Sequence, residues 1–269
     1  MSTYSLADVY AARKRRDSWW TVYFVDPVAC RAALAVANRT RITPNALTVT
    51  SLVLGLFAAG CFALDELAAG AAMFYLSFTI DCVDGKIARL KGTGTPFGLW
   101  LDYVGDRVRV VCCAAGLAYG QYALTGEVRW IVLGAGVAVL DLFRYVNAPQ
   151  MKRVRETIKE ARAQAAERAA VAGLVPAPRG AGRRRSFGRR LNRYLARRRI
   201  RTHLISGIEF HAAVFVVAPL VGVAALVPVS AVAGVLLLGN EIFLVYRMWL
   251  FTRRHTVSAP QESREHVLV

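Results

Sequence analysis

Between residues 44 and 251 the chain falls into apolar runs of about 20 residues, each long enough to cross a bilayer. In lipid, a single segment satisfies its own backbone polar groups only as a helix. The runs at about 45–64, 67–90, 96–124, 128–146, 204–227 and 228–251 therefore predict an all-α integral membrane protein with six transmembrane helices. Thr43-Pro44 and Thr95-Pro96 each place a capping residue before a proline at the first helical position. Asp65-Glu66 reads as a short turn, and Lys91-Gly-Thr-Gly94 as a helix break. The net charge of +17 alone would suit a soluble nucleic-acid binder, but such apolar runs exclude that class, and no nucleic-acid partner is expected.

The positive charge is unevenly spread. Residues 148–202 hold 17 Lys+Arg against 3 Glu, a net of +14. Met151 to Ala172 reads as helical, Val175 to Gly182 as a break, and Arg183 to Arg201 as an arginine-rich run with interleaved Phe187, Leu191, Tyr194 and Leu195. Basic loops stay on the cytoplasmic side. This segment, the basic N-terminus, the loop at Lys91 and a tail with Arg253-Arg254 all fall on one side of a six-span path, which predicts both termini inside. The chain divides into a cytoplasmic N-terminal segment (1–42), a six-helix catalytic domain (43–251) interrupted by the basic insertion 148–202, and a tail (252–269). The first 45 residues are polar or amphipathic, which predicts no cleavable signal peptide. Within them Arg13-Lys-Arg-Arg16 precedes Trp19, Trp20, Tyr23 and Phe24, a combination suited to a membrane interface. Asp26-Pro27 reads as the N-cap of a short amphipathic surface helix running to about Asn38. The basic insertion is expected to bind the anionic cytoplasmic leaflet, at about 1 kcal/mol per basic residue. The five cysteines have no zinc-site spacing and read as small reduced core residues.

Four carboxylates stand where charge is most costly. Asp81, Asp84, Gly85, Ala88 and Arg89 share one helix face, and Gly98, Asp102 and Asp106 share another. Ionisable groups at membrane depth mark functional sites. The two helices are joined by a short loop, so both sets meet near the cytoplasmic surface. Four facing carboxylates repel unless cations lie between them, which points to divalent metal and an anionic substrate. All-oxygen ligands select Mg2+ or Mn2+. A pair of such ions can clamp a diphosphate, leaving one carboxylate as general base toward a hydroxyl. Gly85, Ala88 and Gly98 allow close approach of backbone or ligand. A purely structural alternative pairs the aspartates with Arg89, Arg107 or Arg109.

The pattern Asp81-x2-Asp84-Gly85-x2-Ala88-Arg89-x8-Gly98-x3-Asp102-x3-Asp106 resembles the signature of the CDP-alcohol phosphotransferase family at every specified position. Pro44-Asn45 and Thr48 at the start of the first span are similar too. The resemblance covers about residues 20–150 well and the last two spans weakly. It implies transfer of a phosphate-linked group, such as phosphatidyl, from a CDP-linked donor such as CDP-diacylglycerol to an alcohol acceptor. CMP is released, in phospholipid biosynthesis at the cytoplasmic membrane. It implies that Asp81, Asp84 and Asp102 are metal ligands and that Asp106 completes the metal site or acts as base. It also implies that Gly85, Ala88, Arg89 and Gly98 line the CDP pocket, with Asp81, Asp84 and Asp102 also binding CDP. Thr95 either caps its helix or bonds the nucleotide. Such proteins are commonly homodimers.

Other polar residues in the spans keep two readings each. Asp141 and Arg144, one turn apart, either neutralise one another or leave Arg144 for a donor or acceptor phosphate. Glu209 and His211 either face the acceptor or make interhelical contacts. Asn240 and Glu241 read as packing or dimerisation residues. An intramembrane prenyltransferase would need a second aspartate motif. A cation transporter would spread its acids along a pathway rather than cluster them beside Arg89.

Overall fold

A computed structural model describes residues 3–171, 193–201 and 205–256. The break at 175–182, the arginine run from 183 to 192 and the tail beyond 256 lie outside the described residues. Among the described residues the regular structure is helical apart from one isolated bridge between Asp17 and Ile200. Helix α1 (Leu6–Ala11) carries a Ser5/Asp8 capping box, and the two hydrogen bonds from Ser5 hold the exposed Asp8 carboxyl below its ordinary pKa. A π-helical turn, Thr21–Val25, leads into α2 (Asp26–Arg39). Then follow α3 (Pro44–Ala63), α4 (Leu67–Lys91), α5 (Pro96–Thr125) and α6 (Arg129–Val171). The last two are α7 (Gly207–Val221) and α8 (Val223–Thr256).

The expected caps form. Thr43 accepts from the Ala46 N–H, and Thr95 accepts from the Gly98 N–H. Gly92 closes α4 at φ 65°, a left-handed conformation that favours glycine. The Asp65-Glu66 turn is tied by the Gln121 amide donating to Asp65 Oδ1 at 2.5 Å.

Four helices are long and apolar enough to cross a membrane: α3, α4, the stretch Arg129–Arg168 of α6 and the stretch Val223–Arg253 of α8. The other two expected spans correspond to α5 and α7. Helix α5 has ample length, but Asp102, Asp106, Arg107 and Arg109 charge its first half. Helix α7 is shorter than the expected 204–227 and contains a π-helical turn, Ala213–Val217. The boundary between the last two helices falls at Gly222, not at Pro228 as the sequence suggests. Gly222 adopts a φ of 117°, where a helix cannot continue, whereas Pro228 lies in the second turn of α8 and forfeits a single backbone hydrogen bond. Helix α6 also differs from expectation. It passes through Pro149 without a break and joins the fourth span to the helical start of the basic segment. At 1.5 Å per residue it is about 65 Å long, roughly twice the hydrocarbon thickness.

Helix α3 packs against α4 and α5, α5 against α6, and α6 against α8. Phe62, Phe74, Phe210, Phe215, Leu226 and Leu237 form the main buried cluster between them. A second cluster sets Val9, Val25, Ala29 and Ala33 on Val83 and Ile87, so α1 and α2 lie along α4. The opposite faces remain apolar and exposed, as at Phe57, Val132, Val139 and Val235. That pattern is what lipid contact requires.

Candidate active site

The α3–α4–α5 packing fixes the site. At Gly116 and Gly120 of α5 a Cβ would run into the backbone carbonyls of Ala59 and Phe62, so only glycine lets these helices cross so closely. At the other end of α5, a Cβ on Gly98 would strike the Asn45 amide. Gly98 thus brings the start of α5 against the start of α3.

This approach closes the carboxylates of the two helices on one another. Ligand oxygens of Asp81, Asp102 and Asp106 lie within 4.8 Å of each other. Asp84 stands outside that group and accepts a 2.5 Å hydrogen bond from Thr48 Oγ1 on α3. Opposite these acids lies Arg109, 3% exposed. Its Nη2 contacts Asp106 Oδ1, and its Nη1 donates to Ser51 Oγ at 2.8 Å and Ser77 Oγ at 3.2 Å. The same Nη1 lies 3.5 Å from Asp81 Oδ1. Gly55 makes room for this side chain, since a Cβ there would fall 2.6 Å from Arg109 Cγ. Two carboxylates and two hydroxyls compensate the buried guanidinium at its Nη atoms, while its Nε has no partner among the described residues. The all-oxygen donor set of three converging carboxylates, with one cation for neutralisation, fits a hard divalent ion.

The acids open into a cavity of about 920 Å3. Asp81, Asp84, Gly85, Ala88, Arg89, Thr95, Gly98, Asp102 and Asp106 all line it, as do Pro44, Asn45 and Thr48. Arg13, Lys14, Lys152, Arg199 and Arg201 add a basic rim. A Cβ at Gly85 would lie 3.3 Å from Arg89 Nη1, and Arg89 Nε donates to the Ala12 carbonyl at 2.7 Å. Arg89 thereby ties the N-terminal segment to the signature helix and pairs with no aspartate among the described residues.

One sequence reading changes, and several residues with two readings are resolved. Asp26 is not an N-cap: Val25 occupies that position, and Asp26 begins the helix with its carboxylate buried. It pairs with buried Lys86 at 2.8 Å and with Arg199 at 3.0 Å. Arg199 also donates to the Lys14 carbonyl, and backbone bonds join Asp17 to Arg199 and Arg201. The stretch 193–201 is therefore clasped to the N-terminal segment at the cavity rim. Asp141 and Arg144 do not neutralise one another. Asp141 meets Arg107 and His211, while Arg144 lies 3.5 Å from Glu241 and lines the cavity. Glu209 does not line the cavity; it caps its own helix at Ser206 and accepts from the Trp19 N–H at 3.0 Å. His211 lines the cavity while bonded to Asp141 at 2.8 Å. Glu241 is held within the bundle by Arg144 and Asn147, the latter at 3.2 Å. All five cysteines are free, as expected.

The pairing of Asp26 with Lys86 is not legible in sequence, because the two lie 60 residues apart on different helices, and the clue lies at Lys86. Its depth, one turn from Cys82 and Leu90, was the available signal. Asp26→Asn is expected to destabilise the protein by about 3 kcal/mol, because it strands a buried ammonium. Thermal unfolding in detergent checks this, and an unchanged midpoint would contradict it.

Together these features define a helical membrane protein with an acidic cluster on the wall of a cavity that basic side chains also line. The CDP-alcohol phosphatidyltransferase family model matches residues 41–177, and the chain belongs to that family. It is 40% identical over 67 residues to a bifunctional IPC transferase and DIPP synthase of Aquifex aeolicus, over 25% of this chain and 15% of that protein. It is 32% identical over 105 residues to an archaetidylinositol phosphate synthase of Methanothermobacter thermautotrophicus, over 38% of this chain and 50% of that protein. The chain thus spans half or less of the length of these curated relatives. A crystal structure of the phosphatidylinositol phosphate synthase of Mycobacterium tuberculosis in complex with manganese and citrate superposes with a TM-score of 0.49. It is 22% identical and covers 84% of this chain and 89% of that one.

Proposed function

We propose that this protein is a divalent-metal-dependent transferase that moves a phosphatidyl-type group from a CDP-linked lipid to a hydroxyl acceptor and releases CMP. The observation that carries this reading is the convergence of Asp81, Asp102 and Asp106 within 4.8 Å on the wall of the cavity. Asp81, Asp84, Asp102 and Asp106 are assigned as holding two Mg2+ or Mn2+ ions. Bound there, the ions neutralise a diphosphate and the charge that develops on the departing phosphate.

The chain's own groups do the rest. Gly85, Ala88, Thr95 and Gly98 leave a wall of small side chains for the nucleotide, with Arg89 beside it. Asp106 accepts the acceptor's hydroxyl proton. The hydroxyl oxygen forms a bond to the phosphorus that bears the lipid group. The bridging P–O bond breaks, and its electron pair leaves with CMP. Arg144, Arg199 and Arg201 supply charge for a phosphorylated acceptor. That favours an inositol-phosphate-like alcohol, in keeping with the name of the archaeal relative.

The same reading places six helices across the cytoplasmic membrane, with both termini and the cavity mouth inside, in a homodimer. Where α6 leaves the membrane, its basic residues from Lys152 onward are assigned to the anionic leaflet. The test is CMP release by purified protein with CDP-diacylglycerol, Mg2+ or Mn2+, and a panel of free and phosphorylated alcohols. Acceptor-dependent CMP that disappears with EDTA is expected. CMP release that is indifferent to EDTA would overturn the metal assignment.

A further inference from the structure

Asp141 is fully buried on α6, does not line the cavity, and stands apart from the signature carboxylates. Two side chains from other helices meet it. His211 Nε2 of α7 lies 2.8 Å from Oδ1, and Arg107 Nη1 of α5 pairs with Oδ2. Arg107 directly follows Asp106 in sequence, and its Nη2 is 3.8 Å from Asp106 Oδ2. Its guanidinium carbon sits 4.3 Å from the ring centroid of Tyr145, whose hydroxyl donates to the Tyr103 carbonyl at 2.5 Å. Arg107 therefore has two carboxylates within reach: it is hydrogen-bonded to the one outside the cluster and makes only a long ion pair with Asp106.

This choice matters for the cluster's charge. Arg109 already pairs with Asp106 and Asp81. A second guanidinium on Asp106 would occupy the oxygen that a divalent cation needs and would oppose its charge at close range. An arginine fixed beside these acids thus needs a counter-charge of its own on the far side.

We propose that Asp141 is a positioning residue: as the counterion of Arg107 it holds that guanidinium off the acidic cluster and leaves Asp106 open to a divalent cation. His211 occupies the other Asp141 oxygen and keeps the carboxylate turned toward Arg107. The inference rests on the reading of Asp81, Asp102 and Asp106 as a cation site, but it concerns a different residue.

The experiment measures Mn2+ binding to the full-length protein in detergent, from the electron paramagnetic resonance signal of free Mn2+, without nucleotide or turnover. Wild type is expected to bind, and Asp102→Asn to bind far more weakly. Asp141→Asn, nearly isosteric, is expected to weaken Mn2+ binding by about tenfold, because the freed arginine competes at Asp106. Adding Arg107→Gln to that variant is expected to restore the affinity to within about threefold of wild type, the coupling a double-mutant cycle isolates. Mere loss of structure would not be rescued by a second substitution. Arg107→Gln alone is expected to bind Mn2+ at least as tightly as wild type, and it keeps the test decisive if Asp141→Asn does not fold. Asp141→Asn with wild-type affinity, a double variant as weak as the single one, or weakened binding by Arg107→Gln alone would each overturn the inference. Failure of wild type to bind, or equal binding by Asp102→Asn, would remove the cation site itself.

Discussion

Asp102→Asn is expected to cut CMP formation by more than about a hundredfold, beyond what the loss of an outer partner of a metal ligand costs. The protein should nonetheless fold as well as wild type, or better. Asp102 makes no hydrogen bond or ion pair with any other described residue, yet its oxygens lie within 4.8 Å of those of Asp81 and Asp106. Its charge is therefore a liability to the metal-free fold, and removing it relieves repulsion. Asn keeps the shape and loses the anionic ligand. Turnover and thermal midpoint, measured on one preparation, check both halves. Full turnover would sink the metal assignment, and a large fall in the midpoint would show that Asp102 has a structural partner.

Arg109→Met is expected to do the reverse. Its guanidinium binds Asp106, Asp81, Ser51 and Ser77, and its side chain is 4% exposed. Removing it leaves two carboxylates and two hydroxyls without their common donor, at an expected cost of about 3–5 kcal/mol. Yield and thermal midpoint in detergent should fall sharply. Because a cation in the cluster replaces the missing charge, Mn2+ should recover part of the loss through ligand-linked stabilisation. A midpoint equal to that of wild type without metal would contradict this account. Arg109→Lys is expected to rescue little, since one ammonium cannot span the same four acceptors.

The two residues carry two kinds of charge on one helix. On the proposed function, Asp102 serves a ligand, whereas Arg109 is bound into the fold. Both lie on α5, and their spacing in the sequence does not distinguish them. The structure pairs Arg109 with Asp106 and Asp81, while Asp102 has no such partner among the described residues.

Much of the site is legible in the amino-acid sequence. The spacing of Asp81, Asp84, Gly85, Ala88 and Arg89 puts them on one helix face, and a short glycine-containing loop returns α5 with Asp102 and Asp106 at the same depth. Helical periodicity and the caps at Thr43 and Thr95 suffice for that, because they are local. The boundary at Gly222 is less legible, since proline is the louder breaker in sequence although the second turn of a helix tolerates it. The partners of the remaining buried charges are not legible. Asp26 finds Lys86 and Arg199, Arg144 finds Glu241, and Asp141 finds Arg107 and His211 across three helices. Each of these groups has a nearer charged neighbour in sequence that the fold does not use.

The sequence by itself determined that the chain forms apolar helices of membrane length, and which residues face the same way along each one. The tertiary structure alone decided which faces meet. The rotation of one helix against the next is set by close approaches, such as Gly116 on the Ala59 carbonyl and Gly98 on Asn45, and those depend on contacts far apart in the chain. Hence Asp84 turns to Thr48 while Asp81 turns to Asp102 and Asp106, although the two share one helix face only three residues apart.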